Sequence, residues 1–308
     1  MNHEEVEAED YVSTVVQFVL LEFSEIPYLQ GFLSGLFSII YMVVLTGNSL
    51  IIIITRLDPA LHKSMYFFFL ANFSILEICY VLVTLPRIMI MNLGTQRRTI
   101  SLVVCATQMC VLVLGAAECF LLAVMAYDCY VAICNPLQYP LVMTHKVYIQ
   151  LVAASWISGI PVQVEQTLQV FSLPIYSSNI INHFFCDIPP VLKLACGEAF
   201  TNLFMVYMTA VLFVSAPYLF IFISYIKIIS TVLKLPSATS RVKAFSTCSC
   251  HLTIVLLFLG TSVITYIRQE FSHSAEIYKV LSLFFYAIVP PMFNPMMYCL
   301  RSKDVKGL

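Results

Sequence analysis

Two carboxylates stand where carboxylates are costly. Glu77 lies in the stretch from Ser64 to Pro86, and Glu118 in that from Thr99 to Tyr127, and both stretches are otherwise almost wholly uncharged. An ionisable side chain inside an apolar span is a functional hypothesis by default, because burying its charge is expensive. The chemistry open to the pair is a proton path, an acid-catalysed reaction within a membrane, or ordinary polar contact between packed helices. The chain contains no HExxH, no phosphate-cradling GxxxxGK, no GxSxG and no CxxC. Metalloprotease, nucleotide hydrolase and serine hydrolase therefore lack their residues, no catalytic residue is assigned, and an enzyme is not expected.

The elements that must position these acids follow from composition. Of 308 residues, 60% are hydrophobic, 13% aromatic and 11% charged, and the mean hydropathy is +0.90. Soluble domains carry charge on about a quarter of their residues, so disordered, secreted and cytosolic classes are excluded and a polytopic membrane protein remains. Seven stretches approach or exceed the roughly 20 residues needed to cross about 30 Å of hydrocarbon. They are Ile26 to Thr55, Ser64 to Pro86, Thr99 to Tyr127, Val147 to Val164, Ala199 to Ile226, Ala244 to Ile267 and Val280 to Leu300. Runs this long are too continuous for a membrane barrel, and lipid demands that backbone groups be satisfied within the segment, so the expected fold is all-α, a bundle of seven transmembrane helices.

Charge sets the expected orientation, since Lys and Arg are retained on the cytoplasmic side. One set of loops and termini holds Arg56, Lys63, Lys146, Lys227, Lys234, Arg241, Lys243, Arg301, Lys303 and Lys306 against Asp58, Asp128 and Asp304. The other set is predominantly acidic, above all between Glu4 and Glu25, although Arg97 and Arg98 run against the trend. The N-terminus is expected outside and the C-terminus inside. The apolar stretch Val12 to Leu21 follows Glu4, Glu5, Glu7, Glu9 and Asp10 rather than a basic region, so the first span is expected to act as its own insertion signal. No repeat or low-complexity linker is seen, and no separate soluble domain is expected. The expected organisation is an extracellular segment 1–25, a seven-span domain 26–300 and a short cytoplasmic terminus 301–308.

Particular blocks carry a resemblance. They are Gly47-Asn48, Leu61-His62 with Met65-Tyr66-Phe67-Phe68, Met125-Ala126-Tyr127-Asp128, Tyr130-Val131-Ala132-Ile133-Cys134 and Ser224-Tyr225. Lys243-Ala244-Phe245-Ser246-Thr247-Cys248 with His251, and Pro291-Met292-Phe293-Asn294-Pro295-Met296-Met297-Tyr298, complete the set. From Phe18 to Lys306 the chain resembles the olfactory receptors within the rhodopsin-like G-protein-coupled receptors.

The resemblance implies a multi-pass plasma-membrane receptor for a small odorant, embedded in lipid, signalling through a stimulatory heterotrimeric G protein of the olfactory type, with no nucleic-acid partner. It implies a disulfide between Cys105 and Cys186, both on the oxidising side. The family's second loop bridge would end at Cys196, but its expected partner position holds Tyr176. Glu77 and Glu118, with Asn48 and Asn294, resemble the superfamily's polar cluster, which can hold a sodium ion. Two carboxylates in low dielectric need a cation or a shared proton, and both readings stay open. Pro295 removes one backbone bond and favours a bend beside Asn294 and Tyr298. The implied ligand site is Met109, Val111, Leu112, Gly115, Ala116, Val206, Thr209, Ser262, Val263, Tyr266 and Phe284. Such mostly apolar walls suit burial of a small organic molecule with one orienting hydrogen bond. The resemblance assigns coupling and activation to Asp128, Cys129, Tyr130, Tyr225, Asn294, Pro295 and Tyr298, with the Lys and Arg around Lys227 to Lys243 and Asp128 to Lys146 offered to the G protein.

Several positions depart from the family pattern. The Asp-Arg-Tyr triplet reads Asp128-Cys129-Tyr130, and a cysteine can neither pair with the aspartate nor reach into a G-protein cleft as arginine does. The only Asn-x-Ser, Asn72-Phe73-Ser74, falls within the second span. Phe67-Phe68-Phe69-Leu70 reads one residue long, the stretch from Cys105 to Asp128 one residue short, and Leu259 replaces a tyrosine. One residue turns a helix face by about 100°. The alternatives carried forward are a receptor-fold paralogue with weak or lost signalling and, remotely, a transporter, disfavoured by the lack of repeated halves or paired broken helices.

Overall fold

The structure is a computed structural model that describes residues 17–20, 27–58, 65–92, 99–112, 115–173, 179–181, 183–192, 194, 199–271 and 291–292. Its helices are α1 (Pro27–Leu57), α2 (Met65–Asn92), α3 (Leu102–Leu112), α4 (Gly115–Cys134), α5 (Tyr139–Val142), α6 (His145–Phe171), α7 (Ile188–Leu192), α8 (Ala199–Lys234) and α9 (Ala238–Phe271). Runs rich in Ile, Val and Phe, such as Leu50 to Ile54, would favour strands in water. In hydrocarbon they become helices because only a helix satisfies each N–H and C=O from within its own segment.

Five spans are long and apolar enough to cross a membrane: α1, α2, α3 with α4, α6 and α8. A sixth is α9, whose pieces Ala238–Ser246 and His251–Gly260 meet at 47°. The bend coincides with hydroxyls turned back on the helix backbone: Ser249 donates to the Ser246 carbonyl at 2.9 Å and Thr253 to the Ser249 carbonyl at 2.8 Å. Such back-bonding is a known cause of helix bending. The seventh expected span, Val280 to Leu300, lies outside the described residues except for Pro291 and Met292.

Most spans run past their uncharged stretches. α2 extends beyond Pro86 to Asn92, α6 beyond Val164 to Phe171, and α8 beyond Ile226 to Lys234. A helix continues into the interface because charged ends such as Lys227 and Lys234 reach water along their own stems. The third span begins later than expected, since Thr99–Ser101 is a strand, and its helix runs on to Cys134. Phe32, Ile39, Ile53, Val103, Ile157, Leu168 and Leu233 are exposed large apolar side chains, the outer skin of a lipid-embedded bundle.

Three short strands qualify the all-α expectation. β1 (Gln17–Leu20) lies between β2 (Thr99–Ser101), antiparallel, and β3 (Ile180–Ile181), parallel. Phe18, Leu20, Ile100 and Ile181 alternate inward while Gln17, Thr99, Ser101 and Ile180 face out. Residues 17–20 of the N-terminal segment are thus part of the folded body. The sheet packs with Cys105, Met109, Val170, Cys186, Ile188, Val191 and Leu192 into an outer cluster. A larger cluster, including Phe69, Phe73, Leu121, Leu122, Met125, Cys129, Tyr225 and Ile254, joins the second, third, fifth and sixth spans.

Candidate functional site

The outer end of the bundle is closed from the sequence upward. Cys105, at the start of α3, and Cys186, before α7, form the disulfide, with an S–S distance of 2.03 Å and Cα atoms 5.4 Å apart. Beside it Gln108 works in both directions: its Nε2 donates to the Val83 carbonyl at 3.2 Å, and its Oε1 accepts from the Cys186 amide at 3.0 Å. One amide thus ties the second span, the third span and the outer loop. Arg87 donates to the Thr99 carbonyl and fastens β2 to the second span. Phe184 and Phe185 of the loop fill a cluster with Phe37, Tyr80, Val81 and Leu85. Asp187 caps α7 by accepting the Ile188 amide at 2.8 Å, yet burial pushes its carboxyl up to about 6.

Beneath this cap stand the positions expected to line a ligand site. Met109 is fully buried against the cap, Val111 is half-buried, and Leu112 ends α3. Gly115 opens α4 against the sixth span, where a Cβ would lie 3.8 Å from Phe258 Cζ. Ala116 is buried. On α8 lie Val206 and Thr209, the latter donating to the Met205 carbonyl at 2.8 Å. Ser262, Val263 and Tyr266 lie on the outer part of α9. Phe284 falls outside the described residues. A separate open groove runs along the outward face of the fourth span between Pro161, Val164, Glu165, Leu168, Gln169 and Ser172, away from all of these.

The two intramembrane acids stand on packed neighbouring helices, α2 and α4. Glu77 and Glu118 are both buried. Asn48 donates to the Val44 carbonyl at 3.0 Å and to the Pro291 carbonyl at 3.1 Å, joining the first span to the stretch expected to form the seventh. Asn48 Oδ1, Ser74 Oγ, Glu77 Oε1 and Glu118 Oε1 have no hydrogen-bond partner among the described residues. Hard oxygen donors of this kind fit a sodium ion or a proton held between two carboxyls. Ser74, one turn from Glu77 on the same helix face, is absent from the sequence-based set; its i, i+3 spacing is the signal for it. Asn294, Pro295 and Tyr298 lie outside the described residues, as do Cys196 and Tyr176.

The inner face assembles the coupling positions. Tyr139, on the short helix α5, donates its hydroxyl to Asp128 Oδ1 at 2.8 Å. Cys129 is buried in the central cluster. The Lys227 ammonium lies over the Tyr130 ring, 5.6 Å from its centre, and the Cys134 thiol meets Thr231 Oγ1 at 3.3 Å, so the third and fifth spans are tied at two levels. Tyr225 is bonded to His251 Nδ1 at 2.8 Å and to the Cys248 carbonyl at 3.2 Å, with the two rings stacked. That joint sits at the bend of the sixth span. Neither Tyr139 nor His251 figures among the residues read from sequence as coupling positions, because each is defined by a side-chain partner, Asp128 and Tyr225 respectively, that only the fold brings to it.

The sequence that folds into this bundle is similar to those of known proteins. The family described as "Olfactory receptor" matches residues 37–308. Human Olfactory receptor 10AG1 is 54% identical over 291 residues, covering 94% of this chain and 96% of that protein. Human Olfactory receptor 10A5 is 49% identical over 297 residues, covering 95% and 92%, and human Olfactory receptor 10A3 is 45% identical over 295 residues, covering 96% and 93%. A family match over most of the chain, with relatives this similar at nearly full length, settles the class: the chain belongs to the olfactory receptor family, seven-span receptors of the plasma membrane rather than enzymes.

Proposed function

We propose that this receptor binds a small, mostly apolar odorant in the outer half of the bundle and activates a stimulatory heterotrimeric G protein of the olfactory type, raising cyclic AMP. The observation that carries the reading is the joint between the fifth and sixth spans. Tyr225 binds the sixth span at Cys248, within the break of its 47° bend, and at His251, where the outer piece begins, while Thr209, Ser262, Val263 and Tyr266 lie further out on the same two helices. A molecule that touches those residues bears on a bent element whose inner half carries Arg241 and Lys243 in its sequence. Bistable packing of this kind turns a small shift at one end into a helix movement at the other.

The N-terminus faces outside and the C-terminus inside, because ten of the sixteen basic residues, Arg56, Lys63, Lys146, Lys227, Lys234, Arg241, Lys243, Arg301, Lys303 and Lys306, then lie in the cytoplasm, where the G protein is met. The mid-bundle oxygens of Asn48, Ser74, Glu77 and Glu118 are completed by one positive charge, a sodium ion or a shared proton, whose loss or gain biases the same equilibrium.

A second reading, a receptor fold with weak or lost coupling, is favoured by Cys129. It is buried, carries no fixed charge, and leaves Asp128 bonded to a neutral phenol. Basal and odorant-evoked cyclic AMP in cells carrying wild type and Cys129→Arg, at measured surface level, separates the two. A wild-type response establishes coupling with Cys129 in place. A response confined to Cys129→Arg assigns the chain to the second reading.

A further inference from the structure

The bundle-facing side of the fourth span carries polar atoms that nothing described satisfies. Gln163 Oε1 and Thr167 Oγ1 have no hydrogen-bond partner among the described residues, although Gln163 is only 1% and Thr167 only 7% exposed. The two are one helical turn apart and share a face. Two contacts locate that face. Gly159 meets Ala117 so closely that a Cβ would lie 2.7 Å from Ala117 Cβ, and Val170 packs in one cluster with Cys105 and Met109. Between these anchors, Gln163 and Thr167 lie opposite the part of the third span between Met109 and Ala117. The expected ligand positions Val111, Gly115 and Ala116 stand there.

Thr167, like Ser74 in the mid-bundle cluster, departs from the usual pattern of the helical hydroxyls. Thr55, Thr84, Thr107, Ser155, Thr209, Ser224 and Thr253 each donate to the carbonyl four residues before. That local bond is the usual refuge of a hydroxyl in an apolar helix. Thr167 forgoes it, and the Gln163 amide oxygen one turn away is equally unserved. Buried polar atoms without partners are destabilising and rare, and each one needs a reason.

We propose that Gln163 and Thr167 are the orienting polar groups of the ligand site, and that they select a small organic molecule bearing a hydroxyl, an alcohol or a phenol. The inference rests on the odorant-binding reading above. An amide oxygen accepts only, so it calls for a donor, while the Thr167 hydroxyl can give a hydrogen bond to the same ligand oxygen. A hydroxyl does both, whereas an ether or ketone cannot donate and a hydrocarbon can do neither. The apolar body of the ligand then lies against Met109, Val111 and Ala116.

The test uses the purified full-length receptor in detergent, with unfolding followed by a dye that reacts with the buried thiols of Cys119, Cys129 and Cys248. The probes are alcohols and phenols, their methyl ethers and the parent hydrocarbons, matched in carbon number. Alcohols should stabilise the protein at concentrations roughly tenfold below those their ethers require. Gln163→Leu and Thr167→Val should erase that difference without lowering the melting temperature of the ligand-free protein, since each removes an unserved polar atom. Ethers that bind as tightly as alcohols, or variants that keep the preference, overturn the proposal. So does a fall in the ligand-free melting temperature of both variants, which would assign these atoms to a structural water. Stabilisation by none of the probes overturns the odorant-binding reading along with this one.

Discussion

Tyr139 holds Asp128 through a phenol-to-carboxylate hydrogen bond of 2.8 Å, so the acid that opens the Asp128-Cys129-Tyr130 triplet is restrained by the inner loop. Bonds to an ionised acceptor are among the stronger kinds. Tyr139→Phe removes this partner while leaving the ring, and should destabilise the inner end by about 1 kcal/mol. Thermal unfolding of the purified protein checks it. Cys129→Arg places a cation beside the same carboxylate and should recover most of the loss in the double variant, whereas additive losses would show that the introduced guanidinium does not reach Asp128.

Cys105 and Cys186 close a loop with a sequence separation of 81. In the chain-entropy view, a bridge over a loop of that size contributes about 4.5 kcal/mol. It also holds the backbone of Cys186 where its amide reaches Gln108. Cys105→Ser, Cys186→Ser and the double variant should each lower surface level to a similar extent, because either single change breaks the same bond. Flow cytometry of an epitope-tagged receptor reads this directly. A single variant at wild-type level would show that the cap holds without the bridge.

Much of the architecture is legible in the sequence because lipid imposes a simple rule. Long uncharged stretches must become helices, and the centres of the described spans fall where hydropathy puts them. Their ends do not, because a helix such as α8 carries Lys227 and Lys234 past the boundary on long stems. The outer sheet escapes a hydropathy reading altogether. Gln17–Leu20 pairs with Thr99–Ser101 and Ile180–Ile181, and such short non-local pairings leave only a faint alternation in each strand. In the site, Glu77 and Glu118 are conspicuous as acids in apolar runs. Gln163 and Thr167 are not, since a lone amide and a lone hydroxyl in a membrane helix are common, and only their missing partners single them out.

Asp187 gives the cap a pH dependence. Burial raises its carboxyl from 3.8 to about 6, against the opposing pull of the Ile188 amide. A folded state that holds a proton more tightly than the unfolded chain is favoured at low pH, and the advantage fades as pH rises from about 4 to about 6. The cap should therefore be more stable at pH 5 than at pH 7.4. Asp187→Asn keeps an α7 cap that accepts the Ile188 amide and should flatten the difference. Hydrogen exchange of the 183–192 segment at the two pH values checks it, and an unchanged pH dependence in the variant would remove Asp187 from the account.

Gly159 and Gly35 should respond in opposite directions to the same added methyl group. At Gly159 a Cβ would fall 2.7 Å from Ala117 Cβ and 2.8 Å from the Ala117 amide nitrogen, and a backbone atom at that distance cannot rotate away. The third and fourth spans must separate, and overpacking of this kind costs about 1–3 kcal/mol. At Gly35, two turns inside the start of α1, a Cβ meets nothing within 4 Å, so alanine should gain about 0.5–1 kcal/mol from helix propensity alone. Because Gly159 sets the approach of the fourth span, Gly159→Ala also displaces Gln163 and Thr167 from the third span and should weaken any ligand held between them. Melting temperatures of the two variants decide the first part. A Gly159→Ala protein as stable as Gly35→Ala would mean that the third and fourth spans are not in the close contact on which the placement of Gln163 and Thr167 depends.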